Sequence, residues 1–314
     1  MNYSSVFLYL NAFILVAEVQ GTTPRNAVPK HRIQISRKNS LSMKHFPQSY
    51  PLDLGNVGVL LNDSIQQEAI GQLICNILNV NEIQAHLLDW DSDAPMPLDM
   101  LITVGGDGTV LYALSHFANC PVLAINFGNV GFLTASNRED LGTALQQVLS
   151  GQYVISHRSM ICCEHPNGQL HAVNEIVLKG TTRMLTVDLS INQKDIRRIR
   201  GDGVIVGTAT GSTAYLMAAG SPIVMPELRC MIITGLNEYD FRSRPLVVTH
   251  DSHVCLEVSK ETRETDIFLA ADGGEKIPLK LGDKIFIRES DRQAKLIFTD
   301  SNYFFHNLSS RLSW

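Results

Sequence analysis

The 314 residues of the chain, with a mass of 34.8 kDa, exceed the common size of one domain and favour a two-domain organisation. Hydrophobic residues make up 45% and charged residues 18%, a globular composition that argues against long disorder in the body of the chain. The net charge of −5 and the isoelectric point near 6.0 provide no positive footprint for nucleic acid, so no nucleic-acid partner is expected. The six cysteines form no C-x-x-C pair, which indicates reduced thiols rather than a zinc or disulfide framework.

Residues 1–52 are predicted to be a disordered or targeting-like leader outside the fold. Residues 6–17 form an apolar run that is too short to span a bilayer comfortably and that no Lys or Arg precedes, so no membrane partner is expected. Residues 21–52 carry basic but no acidic residues, a bias that transit peptides and disordered tails share. Translation from Met43 is an alternative hypothesis. The expected location is the cytoplasm, with organellar targeting as the alternative.

Residues 53–150 are predicted to form an α/β domain. Apolar strands alternate there with segments of helical periodicity, a pattern typical of a parallel sheet covered on both faces. The predicted elements are strands at 57–61, 101–104 and 122–126 and helices from Ile65, from Val110 and over 140–149. Ligands of such sheets bind at the carboxyl ends of the strands, and the motif GGDGT follows the second predicted strand.

Residues 151–285 are predicted to form a β-rich domain, and residues 286–314 a C-terminal segment that returns to the first domain. Apolar and polar residues alternate over 185–191, as expected for a half-buried strand. Further strands are predicted at 253–258 and 284–288, separated by turns at 166–168, 192–193, 272–274 and 282–283. The predicted fold class is therefore an α/β N-terminal domain with a parallel sheet plus a mostly β C-terminal domain.

The motif Gly105-Gly106-Asp107-Gly108-Thr109 places one carboxylate among three glycines at a strand-to-helix junction. Glycines there let backbone N–H groups approach a phosphate closely, and the context favours this over a turn in which Asp107 caps the helix. A carboxylate in a phosphate loop needs a purpose, since it repels phosphate. Asp107 is expected either to accept the proton of an attacking hydroxyl or to hold a metal, and both belong to phosphoryl transfer.

Two further segments are candidates for ligand binding, although the pattern in each is less specific than the glycine-rich motif. Asn174 and Glu175 precede the apolar run 176–178, and on their own this pair indicates a solvated turn. The segment RGDGVIVGTATGSTAYLMAAGSPI at 200–223 predicts a charged turn, a strand, a hydroxyl-rich loop and an Ala-rich helix. The loop has four hydroxyl side chains, whereas capping a helix needs one, so the surplus favours a ligand: Thr208, Thr210, Ser212 and Thr213.

The ordered set of motifs resembles the NAD kinase family over roughly residues 57–314. The matching segments are GGDGT at 105–109, INFGNVGFLT at 125–134, NEIVL at 174–178, RGDGVIVGTATGSTAY at 200–215, RPLVV at 244–248 and the terminal NLSSRLSW. GGDGT alone is shared with lipid kinases and phosphofructokinases, whereas the TGSTAY segment is not. The resemblance implies a kinase that phosphorylates the 2′-hydroxyl of the adenosine ribose of NAD with ATP or polyphosphate to give NADP.

The resemblance also implies roles for individual residues. Asp107 matches the family's proton acceptor, Gly108 lies beside it in the nucleotide site, and Asn174 and Glu175 match the pair that holds the ribose hydroxyls, which overturns the solvated-turn interpretation. Further binding positions are matched by Arg183, Arg200, Asp202, Thr213, Ala214, Tyr215, Leu216, Met217 and Ala218. Mg²⁺ or another divalent cation is expected to arrive with the nucleotide rather than in a protein cage. A homodimer or homotetramer is implied, with part of the site from a neighbouring subunit.

The chain departs from the family pattern at Gly207, Ala209 and Gly274 and over residues 235–240, which replace the family's usual stretch with proline and histidine. Gly207 and Ala209 stand where the family usually has Ser and Pro, which predicts a looser loop, and Gly274 replaces a common Gln.

Two rival functions share part of the motif set. A lipid kinase of the diacylglycerol-kinase type is one rival, against which the acidic balance and the TGSTAY segment argue. A non-catalytic NAD-binding sensor is the other, against which the presence of Asp107, Asn174 and Glu175 argues.

Overall fold

The computed structural model describes residues 52–62, 65–90, 97–127 and 131–312. The predicted leader at 1–52, apart from Leu52, lies outside the described residues. All of the described residues fall in one unit, Pro47–Trp314. No helix in these ranges is long and apolar enough to cross a membrane.

The N-terminal part contains a parallel sheet in the order β2-β1-β3-β4, with the short β5 beside β4. Buried side chains of α1 and α3 pack on one face of this sheet and those of α2 on the other, so both faces are covered. This confirms the predicted α/β organisation. The elements are β1 (Asn56–Leu61), α1 (Ile65–Val80), β2 (Gln84–Leu88), β3 (Met100–Gly105), α2 (Asp107–His116), β4 (Pro121–Asn126), β5 (Ser136–Asn137) and α3 (Leu141–Leu149).

The C-terminal part is mostly antiparallel β-structure, as predicted. One sheet has the order β13-β12-β11-β8-β15-β16, and β10, β9, β14 and β17 face it across a core of alternating apolar side chains. The elements are β6 (Val154–His165), β7 (Gly168–Ala172), β8 (Glu175–Gly180), β9 (Leu185–Ile191), β10 (Lys194–Gly201), β11 (Gly203–Thr208), α4 (Tyr215–Ala218), β12 (Cys230–Leu236), β13 (Leu246–Thr249), β14 (Val254–Val258), β15 (Ile267–Ala271), β16 (Ile277–Leu279), β17 (Lys284–Phe298) and α5 (Tyr303–Leu312).

Strand β17 connects the two parts. Its first residues pair antiparallel with β14, and residues 295–297 pair parallel with 121–123 of β4. Strand β6 pairs antiparallel with almost the whole length of β17. The parallel sheet and the antiparallel strands therefore form one eleven-stranded sheet. The strand predicted at 284–288 is ten residues too short, because the polar residues at 289–293, where the pairing with β6 is irregular, interrupt the apolar alternation.

The predicted Ala-rich helix after the hydroxyl-rich loop is much shorter than expected. A single 3₁₀ turn (Thr210–Thr213) leads into the four residues of α4. Gly220 then adopts a φ of +79°, a conformation that only glycine adopts readily, and Pro222 follows two residues later. Alanine content predicted the helix, but the chain must turn here to enter β12, and this turn ends it.

Candidate active site

Asp107 is the first residue of α2 and follows the carboxyl end of β3. Its partners in the described part of the chain lie across the site, between β4 and β5. The N–H of Phe132 donates to Oδ2 (2.9 Å) and the N–H of Leu133 to Oδ1 (3.1 Å). Gly131 packs against the same carboxylate so closely that a Cβ there would overlap Oδ1. Asp107 therefore has a fixed orientation that does not come from capping its own helix, and Gly108 beside it is exposed.

The electrostatic surroundings of Asp107 combine burial with donors. Burial raises the pKa of the Asp107 carboxyl, while the backbone N–H groups of Leu133 and Phe132 and the positive charge of Arg311 oppose that rise. Arg311 lies in the last turn of α5, and its guanidinium carbon is 4.8 Å from the centroid of the Phe132 ring. The carboxylate thus has two donors and a cation to stabilise its charge, as either a proton acceptor or a metal ligand requires.

Asn174 and Glu175 are held at the start of β8 by the carboxylate of Asp272. Oδ1 of Asp272 accepts hydrogen bonds from the N–H groups of Asn174 (2.8 Å) and Glu175 (3.0 Å), and Oδ2 accepts one from Val173 (2.7 Å). The N–H of Asp272 donates in return to the carbonyl of Glu175. Both side chains are more than nine-tenths buried, so the solvated-turn interpretation is wrong and the pair forms part of a built structure.

Glu175 is an unusual carboxylate. Burial, followed by the nearby charge of Asp272, raises its pKa to about 7, although the N–H of Tyr215 donates to it. Its Oε2 atom is buried and has no hydrogen-bond partner among the described residues. A buried carboxylate oxygen without a donor is costly in the free protein, so it is suited to accept a hydrogen bond from a ligand hydroxyl.

The hydroxyl-rich loop is held by protein partners. The hydroxyl of Thr208 donates to the carbonyl of Val173 (2.6 Å), and that of Thr213 donates to the carbonyl of Thr210 (3.2 Å). The hydroxyl of Ser212 donates to the carbonyl of Val224 and accepts from its N–H. The surplus of hydroxyls is therefore explained by the fold. The contact with the site comes just after the loop, where the backbone N–H of Tyr215 donates to Glu175.

The side chain of Thr210 has a different partner, a buried guanidinium. Nη1 of Arg158 donates to the Thr210 hydroxyl (3.2 Å), Nε to Ser156 (2.8 Å) and Nη2 to the hydroxyl of Tyr303 (2.9 Å). Tyr303 in turn donates to Glu227. This network ties the hydroxyl-rich loop to β6 and to α5.

The motif segments border the same group of buried side chains. Val110 of α2 and Leu133, next to Asp107, belong to one apolar cluster with Val173, which precedes Asn174. The hydroxyl of Thr208 bonds to the carbonyl of Val173, so the hydroxyl-rich loop adjoins this cluster as well. The structure therefore places Asp107 and the Asn174–Glu175 pair at the border of one apolar cluster, and the N–H of Tyr215 connects the segment Thr213–Ala218 to Glu175.

Arg183, Arg200 and Asp202 lie elsewhere in the chain's own fold. Asn174 and Glu175 are at one end of β8 and Arg183 follows the other end, while Asp202 and Thr208 mark opposite ends of β11. Six strand residues span about 20 Å. The side chains of Arg183 and Arg200 line a separate cavity of about 460 Å³ together with Arg198 and Arg263. The carboxylate of Asp202 instead accepts a hydrogen bond from Asn237.

Comparisons with known proteins fit this geometry. The model of the ATP-NAD kinase N-terminal domain matches residues 62–153, and that of the ATP-NAD kinase C-terminal domain matches residues 173–299. The NAD kinase of Syntrophotalea carbinolica is 33% identical over 229 residues, which are 70% of this chain and 80% of that protein. The chain belongs to the NAD kinase family. It is accordingly a phosphotransferase, and the lipid-kinase and sensor alternatives receive no support from these relatives.

Other NAD kinase relatives show the same agreement. The NAD kinase of Psychrobacter arcticus is 30% identical over 278 residues, 85% of each chain. The crystal structure of an NAD kinase from Archaeoglobus fulgidus in complex with ATP has a TM-score of 0.70 and 27% identity, and the match covers 82% of this chain and 98% of that one. Yeast NADH kinase complexed with NADH shares the fold, with a TM-score of 0.73 at 24% identity over 83% of this chain and 88% of that one.

The departures at Gly207 and Ala209 do not loosen the loop, as the sequence predicted they would. A Cβ at Gly207 would lie 2.7 Å from the carbonyl oxygen of Asn174 and 2.6 Å from Cδ1 of Leu216, and Ala209 is buried. The strand end is therefore closely packed rather than loose. Gly274 donates its N–H to the carbonyl of Ala271 and so closes the turn that positions Asp272.

Sequence reasoning missed three residues of the site. Asp272 was noted only as part of a turn, Arg311 only as a letter of the terminal motif, and Arg158 not at all. The one available signal was a charged residue, Arg158, within a strand. A charged side chain that is buried in a strand needs hydrogen-bond partners, so it predicts a polar network. The described ranges contain no cluster of three or more His, Cys, Asp or Glu side chains that could hold a metal.

Proposed function

We propose that this member of the NAD kinase family transfers the γ-phosphoryl group of ATP to the 2′-hydroxyl of the adenosine ribose of NAD. The observation that supports it most directly is the Asp107 carboxylate of the glycine-rich loop. The N–H groups of Phe132 and Leu133 orient it at the border of an apolar cluster that also contains Val173, which precedes Asn174 and Glu175. The names of the relatives agree with both substrates: several are NAD kinases, and the Archaeoglobus enzyme was crystallised with ATP.

Asp107 has the position and charge for the proton transfer of this reaction. As the ribose oxygen attacks the γ-phosphorus, its O–H bond breaks and the proton passes to the carboxylate of Asp107. The new O–P bond forms while the bond from the γ-phosphorus to the bridging oxygen breaks, and its electron pair leaves with ADP. The hydrogen bonds from Phe132 and Leu133 orient the carboxylate for this transfer before substrate arrives.

Glu175 and Asn174 are proposed to hold the ribose. The unpartnered Oε2 of Glu175 accepts a hydrogen bond from a ribose hydroxyl, and the Asn174 amide binds the neighbouring one. A ligand without that hydroxyl leaves the oxygen of Glu175 unpaired, which costs on the order of 1–3 kcal/mol of binding free energy. Residues 213–218 are proposed to contact the dinucleotide, since Tyr215 already contacts Glu175 through its N–H.

Mg²⁺ is proposed to enter with the nucleotide. The fit rests on the donor set: the described residues offer no cage, and Mg²⁺ commonly binds through substrate phosphates, waters and one or two carboxylates. Asp107 is the carboxylate available in the glycine-rich loop. A bound Mg²⁺ would neutralise negative charge on the phosphate oxygens.

We also propose that the enzyme is a cytoplasmic homodimer or homotetramer. The separation of Arg183, Arg200 and Asp202 from Glu175 along β8 and β11 supports this, because a neighbouring subunit would then supply these side chains to the site. Sedimentation analysis tests the assembly. A monomer with full activity at nanomolar concentration would contradict it.

Asp107→Asn tests the proposed reaction. With NAD, ATP and Mg²⁺, the wild-type chain is expected to form NADP, and kcat of the variant to fall by a factor on the order of 10²–10⁴ because no proton acceptor remains. The dissociation constant for NAD should stay within about twofold, since Asn keeps the size of Asp. NADP formation is measured by a coupled dehydrogenase assay, and NAD binding by calorimetry.

Asp99→Asn is the matched control for this experiment. Oδ2 of Asp99 also accepts two backbone hydrogen bonds, from Gly55 (2.9 Å) and Asn56 (2.8 Å), but it lies at the amino ends of the parallel strands. The kcat of the Asp99→Asn variant should match that of the wild type. Full activity in Asp107→Asn, or equal losses in both variants, would overturn the assignment of Asp107.

A further inference from the structure

Arg311 has two polar atoms that the fold leaves unsatisfied. Its Nε and Nη2 atoms are buried, and neither has a hydrogen-bond partner within the described ranges. The guanidinium lies over the ring of Phe132, whose own N–H holds Asp107. A stacked guanidinium with unused donors therefore lies beside the catalytic carboxylate.

Arg158 shows what a purely structural guanidinium looks like in the same molecule. It also stacks on aromatic rings, those of Phe298 and Tyr303, and it is 2% exposed. Each of its three guanidinium nitrogens nevertheless donates a hydrogen bond to the protein. Buried donors are normally satisfied in this way, because an unpaired one costs about 1–3 kcal/mol. The unpaired donors of Arg311 are the exception, and they occur at the candidate active site.

The charge of Arg311 is also the complement that the site requires. A carboxylate in a phosphate loop repels the phosphoryl group it must work beside, so a cation is needed nearby. Among the described residues, Arg311 is the charged side chain that lowers the pKa of the Asp107 carboxyl. Burial in turn lowers the pKa of Arg311, opposed by the charge of Asp107. A bound phosphate would stabilise the charged guanidinium further.

We propose that Arg311 binds the phosphoryl group that is transferred, donating hydrogen bonds from its unpaired nitrogens to nonbridging oxygens of the γ-phosphate. This inference rests on the proposed function. The planar guanidinium can bind two such oxygens in parallel, and the Phe132 ring fixes its plane. The contact persists while the O–P bond to ADP breaks and the bond to the ribose oxygen forms. Arg311 thus stabilises charge on the phosphoryl oxygens and leaves the proton transfer to Asp107.

The key experiment compares a triphosphate with a diphosphate. Dissociation constants of the non-hydrolysable analogue AMP-PNP and of ADP, both with Mg²⁺, are measured by calorimetry on the full chain. The wild type should bind AMP-PNP more tightly than ADP. Arg311→Gln should bring the ratio of the two constants close to one, leave NAD binding within about twofold, and lower kcat/KM for ATP by a factor on the order of 10².

Two further variants distinguish a specific contact from a general effect of charge or packing. Arg292→Gln removes the same charge from an exposed position and should behave as the wild type. Arg311→Lys keeps the charge but cannot bind two oxygens in parallel, so its AMP-PNP preference should lie between those of the wild type and Arg311→Gln. If Arg311→Gln fails to fold by circular dichroism, Arg311→Lys alone tests the proposal, and an unchanged preference in it is a negative result.

The outcomes separate this inference from the proposed function. A wild-type chain that makes no NADP from NAD, ATP and Mg²⁺ defeats the proposed function itself. A wild-type chain that makes NADP, with an AMP-PNP preference that Arg311→Gln retains, defeats only the role of Arg311. Equal weakening of AMP-PNP, ADP and NAD in a folded Arg311→Gln protein would show a structural role and would also overturn the inference.

Discussion

Asp107 is a partly buried carboxylate and Glu175 a buried one, and the groups around them differ. Asp107 has two backbone donors and a nearby cation, which stabilise its charge. Glu175 has one backbone donor, an unpaired oxygen and the negative charge of Asp272 close by. Burial raises the pKa of both carboxyls, but backbone donors and Arg311 oppose that rise at Asp107, whereas the charge of Asp272 adds to it at Glu175. Different surroundings of this kind suit acidic groups to different roles.

The pKa of Glu175 predicts that NAD binding depends on pH near neutrality. With a pKa of about 7, about nine-tenths of the free protein has an ionised Glu175 at pH 8 and about one-tenth at pH 6. If only the ionised form binds the ribose hydroxyls, the affinity for NAD falls about tenfold between those values. Calorimetric titration of NAD across this range measures the effect.

Two variants check that Glu175 is the group responsible. Glu175→Gln cannot ionise, so its NAD affinity should lose most of this pH dependence. Asp272→Asn removes the neighbouring charge that helps to raise the pKa of Glu175, so the loss of affinity should shift to lower pH. Asn tolerates the φ of +49° at position 272. An unchanged pH profile in Glu175→Gln would rule Glu175 out as its origin.

Candidate site residues could be predicted from the sequence where neighbouring residues form a motif. Residues whose partners are far away in the sequence were missed. Asp107 was recognisable because glycines surround it within five positions. Asp272 acts on Glu175, 97 residues away, and Arg158 on Tyr303, 145 residues away. Neither pairing follows from propensity or periodicity, because only the strand order brings these segments together. Asn174 and Glu175 required the family resemblance, since two polar residues before a strand are common.

Among the elements, the segment 131–133 between β4 and β5 is the one on which the orientation of Asp107 depends. Two of its N–H groups hold the carboxylate, and Gly131 lets the backbone approach it. Glycine is required there for the close approach, because any Cβ would occupy the volume of the carboxylate oxygen. In the proposed mechanism, the position of the Asp107 carboxylate therefore depends on the glycine at position 131.

Gly131→Ala is expected to lower kcat by at least about 10²-fold, because the new methyl group displaces Asp107 or the donors that hold it. The substitution lies beside the site and outside the regular elements, so the protein should still fold. Gly142→Ala is the matched control: its Cβ, in α3, would meet no atom within 4 Å. That variant should be fully active and slightly more stable. Wild-type kcat in Gly131→Ala would refute the close-approach argument.

Elements with strong periodicity were predicted well, and those set by tertiary context were not. Strands β1, β3 and β4 of the parallel sheet and helix α1 were found because apolar residues recur at the right spacing, whereas β2 and β5 were not predicted. The turn at 192–193 was also found, and both residues have positive φ, as a tight hairpin requires. The length of β17 escaped prediction because charged residues interrupt its middle, although β6 pairs with it on both sides of this interruption.

On the scale of the whole molecule, β17 and the Arg158 network join the α/β and β-rich parts. Strand β17 pairs with β14 of one part and with β4 of the other. The hydrogen bonds of Arg158 connect β6, the hydroxyl-rich loop and Tyr303 of α5. A strand shared by two parts cannot unfold in one of them without losing pairing in the other, so the parts should not melt independently.

We therefore expect the described body of the chain to unfold in a single cooperative transition. Trp90 reports on the α/β part, where its indole N–H donates to the carbonyl of Leu61, and far-UV circular dichroism reports on the secondary structure of both parts together. In a Trp314→Phe background, which leaves Trp90 as the only tryptophan, the two signals should have the same urea midpoint. Two separate midpoints would contradict the argument from β17.

Tyr303→Phe tests the network in the same experiment. The variant leaves Nη2 of the buried Arg158 without its partner, so the free energy of unfolding should fall by about 1.5–3 kcal/mol. Both signals should shift together, because the network spans the two parts. Tyr153→Phe is the control, since it removes a hydroxyl that accepts a single bond from Leu52 near the end of the described chain, and it should cost about 1 kcal/mol or less. A Tyr303→Phe shift confined to Trp90 fluorescence would show that the network stabilises only the α/β part.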